Sequence, residues 1–343
     1  MKSNFITGAE LELSEQQKII DLAISYKKKK DLPNYAGKIL TLLFANPSLR
    51  THLSFESGMK KMGGGVNTLQ LAGSWQFEYR DGAIMNGNTQ EHIKEAAAVI
   101  SRYSDIIGLR NSQLITTAST HNQSSKWEDL RKDEAINQLA AYATKPVINM
   151  ESNMYHPCQS MADMMTMQEN LGKVKKEKYV LTWVPHIKAL PLATPHSQFL
   201  TPSIFGMDVV LAMPEGFSLD EEVMAVAKEK SKQAGGSITI SHNQKEALKD
   251  AKVIVAKSWA SLKYFGEWEK ESAYRKQFED WIIDEEKMKI TNNAIFMHCL
   301  PLRRNVEVSD SVLDGPASKI IDEAENRMWV QMAIISYILN HTS

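Results

Sequence analysis

Short apolar runs alternate with amphipathic stretches along almost the whole chain, and this alternation is the feature that most restricts its fold. The run ILTLLF at residues 39–44 is typical of a buried strand, and further strands are predicted at 105–109, 146–150, 179–184, 208–213, 237–241, 253–256 and 294–298. Segments between and after them predict helices at about 51–62, 159–171, 219–234 and 323–339. Strands that alternate with crossover helices form parallel sheets, so the sequence predicts an α/β fold.

The chain is long enough for two domains. Its 343 residues can bury two hydrophobic cores of ordinary size. We expect the boundary near residues 150–160, after the predicted strand at 146–150, and the pattern alone leaves the final helix open to either half. The polar, Ser/Thr/Asn-rich segment 113–129 predicts a surface loop of one domain and not a linker.

Charge and cysteine content argue against several classes of protein. Forty basic residues face forty-one acidic ones, so no overall field attracts nucleic acid or an anionic membrane. The first residues lack the apolar core of a signal peptide, and no run approaches the roughly 20 residues that cross a bilayer. Cys158 and Cys299 are too far apart to suggest a metal site or a disulfide framework. We therefore expect a cytoplasmic protein that binds no nucleic acid, membrane or metal.

The turn between the first strand and the following helix predicts an anion site. Backbone N–H groups and the helix dipole attract anions at such a position. Ser48 and Thr51 add hydroxyl donors, and Arg50 adds a guanidinium group that suits phosphate. Helix capping alone would account for Ser48 and Thr51. It does not account for Arg50, whose charge opposes the dipole in the first turn.

Polar side chains also follow other predicted strands. They are Arg110, Glu151, the segment HPCQ at 156–159, His186, Lys257 and the segment HCLP at 298–301. Each of them taken alone is most simply an ordinary polar residue. In open α/β sheets, however, ligands bind at the carboxyl ends of the strands. The shared position of these residues at successive strand ends therefore favours a binding site.

Two other kinds of enzyme are disfavoured. The chain has no G-x-G-x-x-G, no Walker A loop and no H-E-x-x-H motif, which counts against a nucleotide-binding dehydrogenase on a similar sheet. A nucleophilic Cys299 activated by His298 is also disfavoured, because adjacent residues of a strand point to opposite faces.

At these residues the sequence resembles the aspartate/ornithine carbamoyltransferase family. The segment SLRT at 48–51 is similar to the S-x-R-T carbamoyl-phosphate motif of that family. HPCQ at 156–159 is similar to its H-P-x-Q motif, and HCLP at 298–301 is similar to the H-C-L-P of the ornithine branch. The matches occur in the order of the family and extend from about residue 38 to the final helix.

Within the family, the resemblance is closest to the N-acetylornithine and N-succinylornithine carbamoyltransferases. It is carried by Trp75 and by the segments NME at 149–151, AKSW at 256–259 and DEAENR at 322–327. The S-M-G substrate loop of the ornithine enzymes is missing, and the chain instead reads WASL at 259–262. One departure is His52, where the family often has a second arginine.

The resemblance implies an α/β fold of two doubly wound parallel-sheet domains with the active site in the cleft between them. A carbamoyl-phosphate-binding domain is expected at residues 1–152, joined by the C-terminal helix at about 323–343. An acylornithine-binding domain is expected at residues 153–322. The resemblance also implies a homotrimer, in which the loop with Trp75 reaches into the site of a neighbouring subunit.

The resemblance further implies transfer of a carbamoyl group from carbamoyl phosphate to an N-acylated ornithine, without metal or organic cofactor. The residues it implies for carbamoyl phosphate are Ser48, Leu49, Arg50, Thr51, Trp75, Arg110, His156, Gln159, Cys299, Leu300 and Arg327. Of these, Thr51, Arg110 and His156 are expected to be catalytic, as donors to the carbamoyl oxygen. The residues expected to bind the acylornithine are Glu151, His186, Lys257, Gln90 and Lys188.

The identity of residue 90, a glutamine, does not decide which acyl group the acceptor carries. In the resembling branch this position is acidic in acetyl-specific enzymes and proline in succinyl-specific ones. We expect N-acetyl-L-ornithine as acceptor, giving N-acetyl-L-citrulline and phosphate in arginine biosynthesis, with N-succinyl-L-ornithine as the alternative. Free ornithine and an inactive binding homologue are less favoured, since S-M-G is absent and Arg50, Arg110, His156 and Gln159 are all present.

Overall fold

A computed structural model describes residues 3–71, 75–112 and 126–341, which fold as two compact units. Unit 1 comprises Met1–Gln113, Glu128–Cys158 and Arg327–Ser343, and unit 2 comprises Leu114–Trp127 and Gln159–Asn326. Most of the polar segment predicted at 113–129 falls at 113–125, outside the described residues.

Unit 1 is built on a parallel sheet. In chain order, the elements up to its last strand are α1 (Leu13–Lys29), β1 (Ile39–Phe44), α2 (Leu49–Lys61), β2 (Gly65–Gln70), β3 (Phe77–Glu78), β4 (Glu91–His92), α3 (Ile93–Tyr103), β5 (Ile106–Arg110), α4 (Trp127–Leu130), α5 (Glu134–Tyr142) and β6 (Val147–Glu151). The order in the main sheet is β2-β1-β5-β6, with every pairing parallel, and β3 pairs with β4 separately.

Unit 2 contains a larger parallel sheet. The remaining elements are α6 (Pro157–Leu171), β7 (Lys178–Trp183), α7 (Ala193–Ile204), β8 (Asp208–Ala212), α8 (Glu221–Ala234), β9 (Ser237–Ser241), α9 (Gln244–Leu248), β10 (Val253–Lys257), α10 (Trp268–Arg275), a 3-10 helix (Lys276–Trp281), α11 (Glu285–Lys289), β11 (Ile295–Met297), α12 (Asp310–Leu313) and α13 (Ile320–His341). The sheet order is β11-β10-β7-β8-β9, again entirely parallel.

Both sheets are doubly wound, as predicted. In unit 1 the chain passes from β1 to β2 on one side and then returns to β5 and β6 on the other. In unit 2 it passes from β7 to β8 and β9, and then returns to β10 and β11. The strand order therefore reverses between β1 and β5 and between β7 and β10. The loops that follow the two strands at such a point turn to opposite faces and leave a crevice in which ligands bind.

The central strands are apolar because helices cover them. All five residues of β6 and of β10 are buried, as are five of the six residues in β1 and in β7. In unit 1, Ile107 and Val147 of the sheet belong to one core cluster with Ile93 of α3 and Leu139 of α5. Such continuous apolar runs are typical of parallel strands buried on both faces.

Several helix boundaries differ from the predicted ones for identifiable reasons. The helix expected at 51–62 begins at Leu49, because Ser48 is its N-cap and accepts a hydrogen bond from Thr51 N at 3.3 Å. The C-cap expected after residue 234 is confirmed, since Gly235 has a φ of 78°. Sequence patterns missed α7, whose twelve residues are all buried and so show no amphipathic period.

The predicted domain limits differ from the two units at both junctions. Residues 153–158, expected in the second domain, lie in unit 1, where Asn153 N donates to Asp133 Oδ1 at 2.9 Å. Residues 323–326, expected in the first domain, lie in unit 2, where Asn326 Nδ2 donates to Thr166 Oγ1 at 2.8 Å. The assignment of these regions to carbamoyl-phosphate and acylornithine binding stays a prediction.

Asp133 holds the turn that follows β6. It is 6% exposed, and its carboxylate accepts from Ser152 Oγ and from Asn153 N. Burial raises the pKa of this carboxyl to about 6, although these hydrogen bonds oppose the shift. A carboxyl with a folded-state pKa above its unfolded value binds a proton more tightly when folded. The contribution of Asp133 to stability therefore falls as the pH rises from about 4 to about 6.

Replacing Asp133 should remove this pH dependence. In the wild type, titration of Asp133 should lower the free energy of unfolding by roughly 2–3 kcal/mol between about pH 4 and pH 6. In Asp133→Asn this decrease should be absent. Urea unfolding at several pH values measures it, with Asp21→Asn at an exposed position of α1 as the control. A slope that persists unchanged in Asp133→Asn would contradict this account.

Candidate active site

The carboxyl ends of β1, β5 and β6 meet at one edge of the first sheet. Phe44 pairs with Arg110, and Arg110 pairs with Glu151 after a register shift. Past the strand ends, Ala45 N donates to Arg110 O and Asn111 N donates to Glu151 O, each at 2.9 Å. The predicted convergence of these three strand ends is confirmed, and it lies at the point where the strand order reverses.

Three arginines gather at this edge. Arg50 lies in the first turn of α2, Arg110 ends β5, and Arg327 is carried by α13. Arg327 is 3% exposed and donates from Nη2 to Thr51 Oγ1 at 2.9 Å. Burial lowers the pKa of Arg327, and the positive charges of Arg110 and Arg50 act in the same direction. Arg327 is therefore close enough to the other two guanidinium groups for their charges to act on it.

Glu151 offsets part of this charge. Arg110 Nη1 donates to Glu151 Oε2, and His156 Nε2 lies 3.7 Å from the same oxygen. Three guanidinium groups against one carboxylate leave two positive charges. A phosphate monoester carries about −1.5 to −2 charges near neutral pH, so it matches that excess. The arrangement can bind and orient a phosphorylated anion.

Other residues of unit 1 surround the cluster. The side chain of Leu49 is 71% exposed, so its contribution to an anion site is its backbone N–H. His52 packs its ring 5.4 Å from that of Phe44, and its Nε2 lies 2.8 Å from Glu56 Oε2. These contacts give His52 a structural role within α2, at the position where the resembling family often has arginine.

Trp75 and Gln90 lie in the segment around the β3–β4 pair. Trp75 is 49% exposed, and its Nε1 donates to Glu91 Oε2 at 3.0 Å. Gln90 Oε1 accepts from Gln76 N at 2.7 Å, and Gln90 N donates to Gln76 O at 3.0 Å. These two hydrogen bonds hold Gln90 next to Gln76, the residue that follows Trp75, and they fix the orientation of the Gln90 side chain.

In unit 2, His186 follows β7 and is held as a neutral ring. Arg303 Nε donates to His186 Nε2 at 3.1 Å, so Nε2 is the acceptor and Nδ1 carries the hydrogen. Nδ1 then donates to Lys188 O at 2.9 Å, which is a backbone contact of Lys188. Burial lowers the pKa of His186 to about 4, helped by the charges of Lys257, Arg303 and Arg275. At neutral pH this imidazole is uncharged.

Lys257 ends β10 beside this histidine loop. It is 8% exposed, and its backbone carbonyl accepts from Val184 N at 3.2 Å. A cavity of about 550 Å³ opens next to His186, a volume suited to a small ligand. Its lining residues are Pro185, His186, Ile187, Ser272, Arg275, Lys276, Glu279, Ile282, Asn305 and Val306.

Arg275 is a residue that sequence patterns missed. It is 3% exposed, is paired with Glu271, and lies 5.4 Å from the ring centres of Trp183 and Phe217. Its guanidinium donates to Ser258 Oγ at 2.8 Å and to Trp259 O at 2.9 Å. It therefore fixes the turn that follows Lys257. The only sequence signal was an ordinary Glu–Arg pair four residues apart, which is usually a surface feature.

The HPCQ and HCLP segments each contain a buried polar side chain that makes hydrogen bonds, Gln159 in the first and His298 in the second. Gln159 is 1% exposed and donates from Nε2 to Asp163 and Glu323. His298 is fully buried and its Nδ1 accepts from Leu300 N at 3.0 Å. Burial raises the pKa of the Cys158 thiol to about 12, so this cysteine stays protonated.

The described part of the chain contains neither a cluster of side chains suited to a metal ion nor a helix suited to crossing a membrane. Within residues 3–71, 75–112 and 126–341, no group of three or more His, Cys, Asp or Glu side chains is arranged to hold a metal ion. In the same ranges, no helix is long and apolar enough to cross a bilayer.

Comparison with known families decides the relationship. Residues 3–169 match the carbamoyl-P binding domain of aspartate/ornithine carbamoyltransferase, and residues 193–338 match the Asp/Orn binding domain of the same enzymes. The chain belongs to the aspartate/ornithine carbamoyltransferase family. The resemblance found in its motifs is confirmed over most of its length.

Individual relatives include both acyl branches. N-acetylornithine carbamoyltransferase of Xanthomonas campestris pv. campestris is 39% identical over 343 residues, covering 99% of this chain and 98% of the relative. N-succinylornithine carbamoyltransferase of Bacteroides fragilis is 34% identical over 325 residues, covering 93% and 94%. Ornithine carbamoyltransferase of Caldicellulosiruptor saccharolyticus is 33% identical, covering 98% of each.

Solved structures agree with the fold. Acetylornithine transcarbamylase complexed with acetylcitrulline has a TM-score of 0.92 at 40% identity, covering 97% of this chain and 98% of that one. Four further structures are N-acetyl-L-ornithine transcarbamylase variants in which one glutamate is replaced by Ala, Pro, Ser or Val. Each is complexed with carbamyl phosphate and N-succinyl-L-norvaline, and each has a TM-score of 0.92 at 40% identity, covering 97% of this chain and 99% of that one.

The arginine cluster predicts how inorganic phosphate should bind. Arg50→Ala should raise its Kd by roughly 10- to 100-fold, because a charge-assisted hydrogen bond contributes about 1.5–3 kcal/mol. The melting temperature should stay near that of the wild type, since Arg50 is only partly buried. Calorimetric titration measures the Kd, and Arg102→Ala, at an exposed position of α3, is the control. Equal losses in both variants would remove Arg50 from the site.

Proposed function

We propose that this chain transfers the carbamoyl group of carbamoyl phosphate to the side-chain amine of N-acetyl-L-ornithine. The products are N-acetyl-L-citrulline and phosphate, formed in the cytoplasm as a step of arginine biosynthesis. The observation that carries the proposal is the cluster of Arg50, Arg110 and Arg327, whose excess charge matches a phosphorylated substrate. Membership of the carbamoyltransferase family and the names of the relatives support the reaction class.

The phosphate group is bound at the start of α2. In the proposal, Ser48, Arg50, Thr51 and the backbone N–H of Leu49 bind its oxygens, together with Trp75. The helix dipole and the N–H groups of the first turn add to the attraction. Because the leaving phosphate gains negative charge as the C–O bond breaks, these donors stabilise the transition state as well as the bound substrate.

The carbamoyl carbonyl is polarised by three donors. Thr51, Arg110 and His156 donate to its oxygen, which becomes more negative when the amine attacks. Loss of one such donor typically costs ~2.7–4 kcal/mol of transition-state stabilisation. Glu151 contacts both Arg110 and His156, so it keeps these two donors oriented. We assign it this role in addition to its predicted contact with the acylornithine.

The NH₂ of the carbamoyl group needs acceptors. We assign Gln159 and the backbone carbonyls of Cys299 and Leu300 to it, and we assign Arg327 to the same substrate. Gln159 already donates from Nε2 to two carboxylates, and its Oε1 is the amide atom suited to accept from NH₂.

The acylornithine is held by Glu151, His186 and Lys257, with Lys188 and Gln90 near its acyl group. Because His186 is neutral, it adds no charge beside Lys257. The amine must attack as the free base, and the departing phosphate can take its proton. Much of the rate follows from holding both reactants together, since well-oriented reactants reach effective molarities of about 10⁵–10⁸ M. The proposal requires no metal or organic cofactor.

The domain functions follow the same assignment. Residues 1–152 with 323–343 constitute the carbamoyl-phosphate domain in the proposal, and residues 153–322 constitute the acylornithine domain. The working assembly is a homotrimer in which Trp75 completes the site of a neighbour. The exposed indole of Trp75 and the contact that orients it support this role.

N-succinyl-L-ornithine is the second candidate acceptor, and Gln90 is the residue that favours it. A carboxylate at this position would repel the free carboxylate of a succinyl group, by roughly 4 kcal/mol at ~4 Å before screening. Neutral Gln90 removes that repulsion. The solved acetylornithine transcarbamylase variants that bind N-succinyl-L-norvaline have likewise lost a glutamate. We retain N-acetyl-L-ornithine because the relatives of that name are the more similar ones.

A citrulline-forming assay with three amines tests the function. We expect kcat/KM to be highest for N-acetylornithine, somewhat lower for N-succinylornithine and far lower for ornithine. Gln90→Glu should lower kcat/KM for N-succinylornithine by about tenfold or more and leave that for N-acetylornithine nearly unchanged. Asn88→Asp, which adds an exposed charge in the same segment, is the control.

Other outcomes of that assay have definite meanings. A kcat/KM about tenfold higher for N-succinylornithine than for N-acetylornithine would reverse the order of the two acceptors. Turnover with none of the three amines, by a protein that binds carbamoyl phosphate, would indicate a binding homologue.

Subunit exchange tests the shared site. Trp75→Ala and Arg50→Ala should each be nearly inactive as pure proteins. After exchange in an equal mixture, about a quarter of the sites should combine wild-type Arg50 with wild-type Trp75 and regain activity. Mass spectrometry of the intact assembly verifies the exchange. Verified exchange without recovered activity would place Trp75 in the site of its own subunit or outside any site.

A further inference from the structure

Trp75 and Gln90 belong to one segment whose two ends are held together. We call residues 75–92, which include β3 and β4, the Trp75 segment. Gln76 N donates to Gln90 Oε1 at 2.7 Å, and Gln90 N donates to Gln76 O at 3.0 Å. Phe77 is 8% exposed and belongs to the core cluster to which α5 contributes. The ends of the segment are therefore fixed by their own hydrogen bonds and by the core of unit 1.

Farther along the segment, Asp81 joins it to α5. Tyr142 Oη donates to Asp81 Oδ1 at 2.5 Å, and Gln138 Nε2 makes a longer contact of 3.4 Å with Asp81 Oδ2. Tyr142 and Gln138 are four residues apart, so they lie on the same face of the helix. The hydrogen bond from Tyr142 lowers the pKa of Asp81, and the same bond raises the pKa of Tyr142. A phenol hydroxyl thus donates to an ionised carboxylate, which makes a strong kind of hydrogen bond.

The helix that presents Tyr142 is itself fixed in the core. Ile136 and Leu139 of α5 are buried in the same cluster as Ile93 of α3. The ring of Tyr142 packs against this cluster, and Lys94 Nζ lies 5.7 Å from the centre of that ring. The hydroxyl of Tyr142 is therefore held in one place by the packing of its ring.

The stretch after Asp81 has no comparable anchor. Among the described residues, the hydrogen bonds of residues 82–89 join only members of the Trp75 segment. Ile84 in this stretch is 85% exposed. Regions with few buried contacts open at little cost in free energy. The bond at Asp81 therefore limits how far the segment can move between its two ends.

We infer that Tyr142 is a positioning residue, which through Asp81 orients the part of the active site that one subunit supplies to its neighbour. The inference rests on the proposed function, in which Trp75 completes the site of a neighbouring subunit. Tyr142 touches neither substrate in this account. Without its hydroxyl, the Trp75 segment would adopt several orientations, of which only some present the indole to the phosphate. The apparent affinity of a ligand falls in proportion to the fraction of protein that is competent to bind it.

Kinetics of conservative variants test the inference. Tyr142→Phe removes the hydroxyl and keeps the ring. Its KM for carbamoyl phosphate should rise about three- to tenfold, while kcat should fall by less than about twofold, because saturating substrate selects the competent orientation. Asp81→Ala should give the same change, and the double variant should lose no more than either single one, since both remove the same interaction. Tyr103→Phe removes a hydroxyl at an exposed position of α3 and is the control.

Subunit exchange shows whether the defect acts in the neighbouring site. Tyr142→Phe is mixed in equal amount with Arg50→Ala and assayed at a carbamoyl phosphate concentration far below KM. After exchange, about a quarter of the sites should combine wild-type Arg50 with an undisturbed Trp75 segment, so the activity should exceed the mean of the two pure proteins. A defect confined to the subunit that carries it would give only that mean.

The outcomes separate this inference from the proposed function. An unchanged KM in Tyr142→Phe and Asp81→Ala, or losses that add in the double variant, would overturn the role of Tyr142. If the Trp75→Ala mixture regains activity and the Tyr142→Phe mixture does not, the inference fails and the shared site stands. A wild type that carbamoylates no N-acylornithine would overturn the proposed function itself. If thermal melting shows that Tyr142→Phe does not fold, Asp81→Ala, at an exposed position, carries the same predictions.

Discussion

The balance of charge between Glu151 and the guanidinium groups of Arg50, Arg110 and Arg327 is the interaction that shapes the carboxyl edge of the first sheet. Parallel pairing brings the ends of β1, β5 and β6 to one edge, and α13 adds a buried guanidinium there. Like charges in a partly dehydrated place are costly unless an opposite charge accompanies them. Glu151 supplies one such charge, and its contact with Arg110 fixes the end of two adjacent strands. The remaining positive charge would attract an anion.

In the second unit, two basic side chains near the corresponding edge of the sheet are neutral or paired. Its sheet also reverses order, between β7 and β10, but the imidazole of His186 after β7 is neutral and Arg275 is paired with Glu271. A cluster of fixed cations suits a phosphate, whose charge is similar in every substrate of the class. The two sheets thus offer complementary environments on the same architecture.

Most of the architecture could be predicted from sequence, because periodicity and strand ends are local properties. The apolar runs predicted every strand of the main sheets except β2, a partly exposed edge strand without a clear apolar face. The convergence of Arg110 and Glu151 followed from parallel pairing alone. The contacts of Arg275 and Glu323 could not be predicted, since each depends on residues far away in the chain. Gln90 was identified by resemblance, but its hydrogen bond with Gln76 could not be predicted, because it depends on how the segment between them folds.

The two cysteines differ in a way that bears on how the protein tolerates oxidants. Burial holds Cys158 as a protonated thiol, with a pKa of about 12, and only the thiolate reacts readily with peroxides or alkylating reagents. Cys299 is partly exposed and lies in the turn that Glu323 anchors. Of the two thiols, Cys299 is therefore the one open to oxidation, in the turn whose carbonyls are assigned to the carbamoyl group. A thiol-reactive probe at Cys299 would accordingly report on the state of that turn without labelling the core.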